Sequence, residues 1–431
     1  MHTFDRRALG GRWAALILVA ALAACSGRSD SDSDGHGNND SFTLDTSGRL
    51  AIAEQNSAVL RIYDLDTQVN EASRTLENAP SALYTSPGGR YVVAMQRTQD
   101  QVQFVDGGIY TEDHGDHLHD YKRESRAMPW KLTGPLPTHY DRQAGKQAAI
   151  FMDGRSTASP AQNSSVHVFT DASIAAGATT ARLDLGFAIH GLGEPVDDVM
   201  LAVHREADAT DPLPTHLELY RRSGAGYTYE RRLATRCNGM HGSFSSGAST
   251  VVGCSDGVLL VTHGSTVLDR KLATATRVGT VAGHPKLPNQ FIGYGNAATP
   301  ATTRFYAIDG ATGTSAEVVP TDWVSGRIVR AAGFDRSGQR WFVLDNAGNL
   351  TVLQRQGNGW ATVRRIAALV PTMPSAAPFP AFSANGARDE VYLTDPTARQ
   401  LLIIDSASLE LKQRRELGFV ASAITWVGIE R

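Results

Sequence analysis

Neither sign of charge dominates this 431-residue chain: 41 Lys and Arg stand against 44 Asp and Glu, a formal net charge of −3. The basic excess that polyanion binding requires is missing, which excludes nucleic acid as an expected partner. Enzyme fingerprints are missing as well. There is no His-Glu-x-x-His, no phosphate-cradling Gly-Lys-Ser/Thr loop and no dinucleotide fingerprint after a strand. Gly253-Cys-Ser-Asp-Gly257 fits the Gly-x-Ser-x-Gly elbow, but it joins two strand-like runs where the elbow needs a strand turning into a helix, so it reads as a turn. A membrane-spanning run is also lacking. Trp13 to Ala24 is apolar but too short to cross a bilayer comfortably. Behind Arg6, Arg7 and Arg12 it reads as the apolar core of a signal peptide over residues 1–24.

That segment ends in Leu22-Ala-Ala-Cys25, the pattern of a bacterial lipoprotein processing site. The mature chain is therefore expected to begin at a lipidated Cys25 and to touch a membrane only through that anchor. Its charge would be 38 basic against 43 acidic residues, or −5. Cysteine is scarce, three in all. With Cys25 carrying lipid, Cys237 and Cys254 are left as a pair in an oxidising compartment, and a disulfide between them is expected, with two buried free thiols as the alternative. Residues 26–40 hold no apolar side chain able to bury surface, so residues 25–40 read as a flexible acidic tether.

What is present is turn chemistry and a repeat. Apolar residues make up 42% of the chain, enough for a large core, while 41 Gly and 18 Pro are spread along it, favouring many short strands. Pro80–Ala94 and Pro137–Phe151 align without a gap, each a short strand, a Gly turn and an apolar strand. Related units begin at Ser41, His190, His241, near Ala282, at Ala331 and at Ala381, and most continue into a third strand ending in Asp and a turn. Eight four-stranded units over residues 41–431 average about 49 residues, the size of a propeller blade. The fold class is all-β, a β-propeller of eight blades, with seven as the alternative count. The ring must close, and Ala421 to Ile429 is the strand expected to pair back onto the first blade.

Two groups of residues carry chemistry. An insertion at 109–136 opens with Tyr110-Thr-Glu-Asp-His-Gly-Asp-His-Leu-His-Asp120, placing His114, Asp116, His117 and His119 within six residues. Imidazole interleaved with carboxylate suits zinc, and Gly115 leaves the segment free to wrap a cation. The second group comes from the repeat register. His139, His190 and His241 hold one aligned position in three consecutive blades at intervals of 51 residues, where the other units carry Ser41, Ala82, Ala282, Ala331 and Ala381. Inner strands line a propeller's axis, so three imidazoles should meet at one mouth of the channel and leave zinc a fourth position. That position could be filled from the insertion, and Glu194 is a candidate acceptor to fix one imidazole's tautomer. Zinc held this way should bind more weakly as the histidines protonate.

Tyr110-Thr-Glu-Asp-His-Gly-Asp-His-Leu-His-Asp-Tyr, Gly134-Pro-Leu-Pro-Thr-His, Ile189-His-Gly, and Cys237-Asn-Gly-Met-His-Gly with Cys254 resemble the AztD-type periplasmic zinc metallochaperones, β-propeller proteins that accompany a zinc ABC importer. The resemblance implies a non-enzymatic protein that binds Zn2+ in the periplasm and hands it to the importer's solute-binding protein. A lipid anchor at Cys25 would depart from a freely diffusing carrier. A zinc-dependent propeller hydrolase and a metal-free protein-binding propeller are the alternatives.

Overall fold

The computed structural model describes residues 41–206, 212–297 and 299–431. The signal peptide, the tether and Cys25 lie outside the described residues. Eight four-stranded antiparallel sheets succeed one another along residues 41–431, so the eight-bladed propeller is the observed fold. The innermost strands of blades 2 to 5 are Ala82–Thr85, Pro137–Gln143, Gly193–Val196 and His241–Ser246. Those of blades 6 to 8 are Thr280–Gly283, Val329–Phe334 and Phe382–Ala384.

Strand periodicity explains how blades stack. In blade 2, Tyr91, Val93 and Met95 point to one side and pack on Ala148, Ile150 and Met152 of blade 3, whereas Val92 and Ala94 point to the other and pack with Ala51, Ala53 and Ile62 of blade 1. A middle strand thus carries an unbroken apolar run, Tyr91–Met95 in blade 2, because both faces of its sheet are covered. The Asp that closes many third strands has a local cause. Asp309 accepts from the backbone N–H groups of Ala311 and Thr312 at 2.9 and 3.1 Å, and Asp405 does the same for Ala407 and Ser408 at 2.9 and 2.8 Å, fixing the turn.

Closure follows the expected route with one correction. The strand Ala421–Val427 pairs along Arg49–Glu54 and supplies the innermost strand of blade 1. Ser41 therefore does not begin a blade. Phe42 makes only an isolated bridge to His119, because the C-terminal strand already occupies the inner edge. The insertion is also shorter than its sequence suggests. Arg126–Thr133 pairs with Gln101–Asp106 as the outer strand of blade 2, leaving a two-stranded hairpin of Ile109–Asp113 and Leu118–Lys122.

Candidate metal centre

All inner strands run the same way, so their first residues share one mouth of the channel. His139 lies near the start of its strand, His241 begins its strand, and His190 sits three residues ahead of Gly193, in the loop entering blade 4. Register shifts at Pro137/His139 and at His241/Ser243 bend the strand starts and turn the imidazoles inward. Gly242 makes this possible in blade 5. Its φ is +67° and a Cβ there would stand 2.6 Å from the Gly279 carbonyl oxygen, the same oxygen that accepts from His241 Nδ1 at 2.8 Å.

The three rings converge, with centroids 5.0, 5.2 and 5.4 Å apart. One ligand nitrogen from each lies within 4.8 Å of the others, and among the described residues this is the group of three with metal-binding geometry. His139 Nε2 and His190 Nε2 are 3.4 Å apart. Two nitrogens on one tetrahedral zinc, each at about 2.05 Å, are separated by roughly 3.3 Å. The fit to zinc is therefore a matter of distance as well as residue type.

Tautomers are set by the ring nitrogens that face away. His241 Nδ1–H donates to the Gly279 carbonyl, and His190 Nδ1–H donates to Asp153 Oδ2 at 2.9 Å, so both Nε2 atoms present lone pairs. Asp153 also accepts from Arg97 Nη2 at 2.8 Å. Burial works against its charge, but the bonds from His190 and Arg97 outweigh it and hold the carboxyl below the usual range. For His139, burial first and then the neighbouring His190 and His241 push its pKa down to about 4, keeping a neutral ring ready to ligate.

Asp153 was not singled out in the sequence, where Glu194 stood as the tautomer-fixing acceptor. The signal was available: the strand Gln147–Met152 runs antiparallel to His139's strand and returns the chain to the same mouth. Glu194 faces elsewhere. It is buried with Asp141, and Ser245 Oγ donates to its Oε2 at 2.7 Å while Ser243 Oγ donates to Asp141 Oδ1 at 3.4 Å. Burial and the facing Glu194 raise the Asp141 carboxyl well above the usual range. The folded chain then binds more protons than the unfolded one, so stability present at low pH is lost as pH rises from about 4 through the raised value. Asp141→Asn is accordingly expected to raise the melting temperature by about 2–4 °C at pH 7. The advantage should vanish near pH 4, as measured by calorimetry across pH.

The hairpin brings its histidines together, but elsewhere. The rings of His114, His117 and His119 lie 4.8 to 5.3 Å apart, and His117 Nδ1 meets Asp116 Oδ1 at 2.6 Å. Asp120 points the opposite way, is buried, and accepts from Thr111 Oγ1 at 2.6 Å and from Arg431. This hairpin leaves blade 2 after Asp106, beside Arg90, whereas Asp153 pairs with Arg97 at the far end of the strand Tyr91–Gln96. Six strand residues span about 20 Å. The hairpin is therefore on the face opposite the trio, which corrects the expectation that it supplies the fourth ligand. A connection after a third strand must emerge where the inner strands end.

Cys237 and Cys254 are bonded at 2.00 Å, pinning the segment just before His241 to the end of its neighbouring strand. No family model matches the chain. It is 26% identical over 218 residues to the zinc chaperone AztD of Citrobacter koseri, a match covering 51% of this chain; the chain spans about half the length of that curated relative, 49%. The crystal structure of Citrobacter koseri AztD superposes with a TM-score of 0.72 at 20% identity, covering 88% of this chain and 97% of that one. The apo form of the same protein gives 0.72 at 19% identity, covering 89% and 98%. A dihydro-heme d1 dehydrogenase, NirN, shares the architecture more distantly, at a TM-score of 0.58, 12% identity and 90% and 76% coverage. In sequence and in fold, then, the chain resembles the AztD-type zinc chaperones, as its motifs imply.

Proposed function

We propose that this protein is a zinc chaperone that holds Zn2+ on His139, His190 and His241 and passes it to the periplasmic solute-binding protein of a zinc ABC importer. The observation that carries this reading is the 3.4 Å approach of two Nε2 atoms, with Asp153 and the Gly279 carbonyl turning lone pairs into a common space. Three neutral nitrogens leave zinc one open tetrahedral position. An incoming ligand can enter there before an imidazole leaves, so transfer proceeds by stepwise exchange without free zinc. Likeness to a zinc chaperone supports the same role.

In this reading the hairpin's His114, Asp116, His117 and His119 are a surface site that takes up zinc on the other face. Cys25 carries the lipid that holds the chaperone at a bacterial membrane after removal of residues 1–24, and the tether spans residues 25–40. Likeness to a zinc chaperone supports a non-enzymatic role.

Competition of the apo protein with a zinc chelator tests the site, and mixing the zinc form with the apo solute-binding protein tests transfer. Asp153→Ala is expected to weaken zinc binding by about 10- to 100-fold, because His190 loses the acceptor that fixes its tautomer. An unchanged chelator competition curve would remove Asp153 from the site.

A further inference from the structure

We propose that the cleft beside the trio is a carboxylate-binding subsite, in which Arg277 and Arg330 seat an anion whose oxygen completes the coordination of the trio-bound metal. The proposal deepens the zinc reading and rests on it. A cleft of about 590 Å³ opens against His241 and is lined by Arg277 and Arg330, with Tyr294, Asn296 and Thr303 as neutral walls and no Asp or Glu. Arg277 lies two residues before Gly279, whose carbonyl orients His241, so the cation stands beside one of the three ligands.

Some arginines across the channel face carboxylates. At the opposite mouth Arg142 meets Glu430 at 2.5 Å and Arg336 meets Asp389 at 2.7 Å. Arg277 is half-buried and, among the described residues, makes no ion pair or side-chain hydrogen bond. Arg330 stacks over Phe379 at 4.1 Å with no carboxylate partner among the described residues. A planar guanidinium fork is matched by a carboxylate, which it can bind through two parallel bonds. Zinc on three neutral imidazoles keeps its full double charge and one vacant position, and carboxylate oxygen is among its accepted ligands. The metal and the two guanidinium groups therefore call for the same anion, which a small dicarboxylate or an acidic side chain of a protein partner can supply.

Cobalt-substituted protein reads the geometry directly, because a new oxygen ligand changes the d–d spectrum. Malonate is titrated into the Co2+ form of the full chain and of the Arg277→Ala/Arg330→Ala variant, and a short Asp- and Glu-containing peptide is titrated in a second arm. The expected result is a saturable spectral change whose midpoint rises at least about tenfold in the variant. A response to malonate assigns the subsite to free acids, and a response to the peptide alone assigns it to a partner's side chain. No response to either, or equal midpoints in variant and parent, overturns the proposal. Metal affinity measured on both forms in carboxylate-free buffer separates the two readings, since failure of Co2+ and Zn2+ to bind the parent marks failure of the metal site itself.

Discussion

Replacing His139, His190 and His241 together by alanine is expected to lower zinc affinity by more than about four orders of magnitude, because zinc sites draw their free energy from ligand nitrogens held in place before the ion arrives. The parent should retain one tightly bound zinc against a chelator that empties the variant. The hairpin keeps His114, His117 and His119 in the variant, so weaker residual binding is expected there, and its loss on further replacement of those three would assign it. Zinc ligands must be deprotonated, and a pKa held at about 4 keeps His139 available well below the pH at which an exposed imidazole takes up a proton. If the triple variant held zinc as tightly as the parent, the channel mouth would not be the site.

Much of this geometry was legible because a propeller converts register into position. Equal spacing of His139, His190 and His241 had to bring them to one mouth once blades were assigned, and the structure places their rings about 5 Å apart. The Asp-turn pattern and the returning strand at Ala421 were readable for the same reason, as both are properties of a single repeat or of ring closure. Features that depend on two connections at once were not. Glu194 stood four residues from His190 in sequence, yet its strand aims it at Asp141 and Ser245, and the acceptor for His190 came from the neighbouring blade as Asp153. The hairpin follows the same logic: its donor-rich composition was plain, but which mouth it occupies depends on counting strand reversals, and a third strand ends opposite to where the first begins. Nearness to His139 along the chain misplaced it beside the trio.

Removing the Cys237–Cys254 bridge, by Cys237→Ser/Cys254→Ser or by reduction, is expected to destabilise the protein by about 3 kcal/mol, the loop-closure estimate for a loop of this length. The two residues are 17 apart and both fully buried, so the cross-link limits the unfolded chain rather than tying down an exposed turn. Urea denaturation should show a lower midpoint together with a steeper slope, since an unfolded state freed of the bridge exposes more surface. The same change should reach the metal. Cys254 follows Gly253, which pairs with His241, and Cys237 lies four residues before that histidine, so the bridge clamps both sides of its backbone. Zinc binding should weaken in the serine variant, though by less than in the triple alanine variant, because all three imidazoles remain. Zinc should in turn restore part of the lost stability, as any ligand of the folded state does. Equal midpoints with and without the bridge, or two reactive thiols in the unfolded parent chain, would show that these cysteines are not cross-linked in the protein and that His241 is positioned by the Gly279 carbonyl and its strand alone.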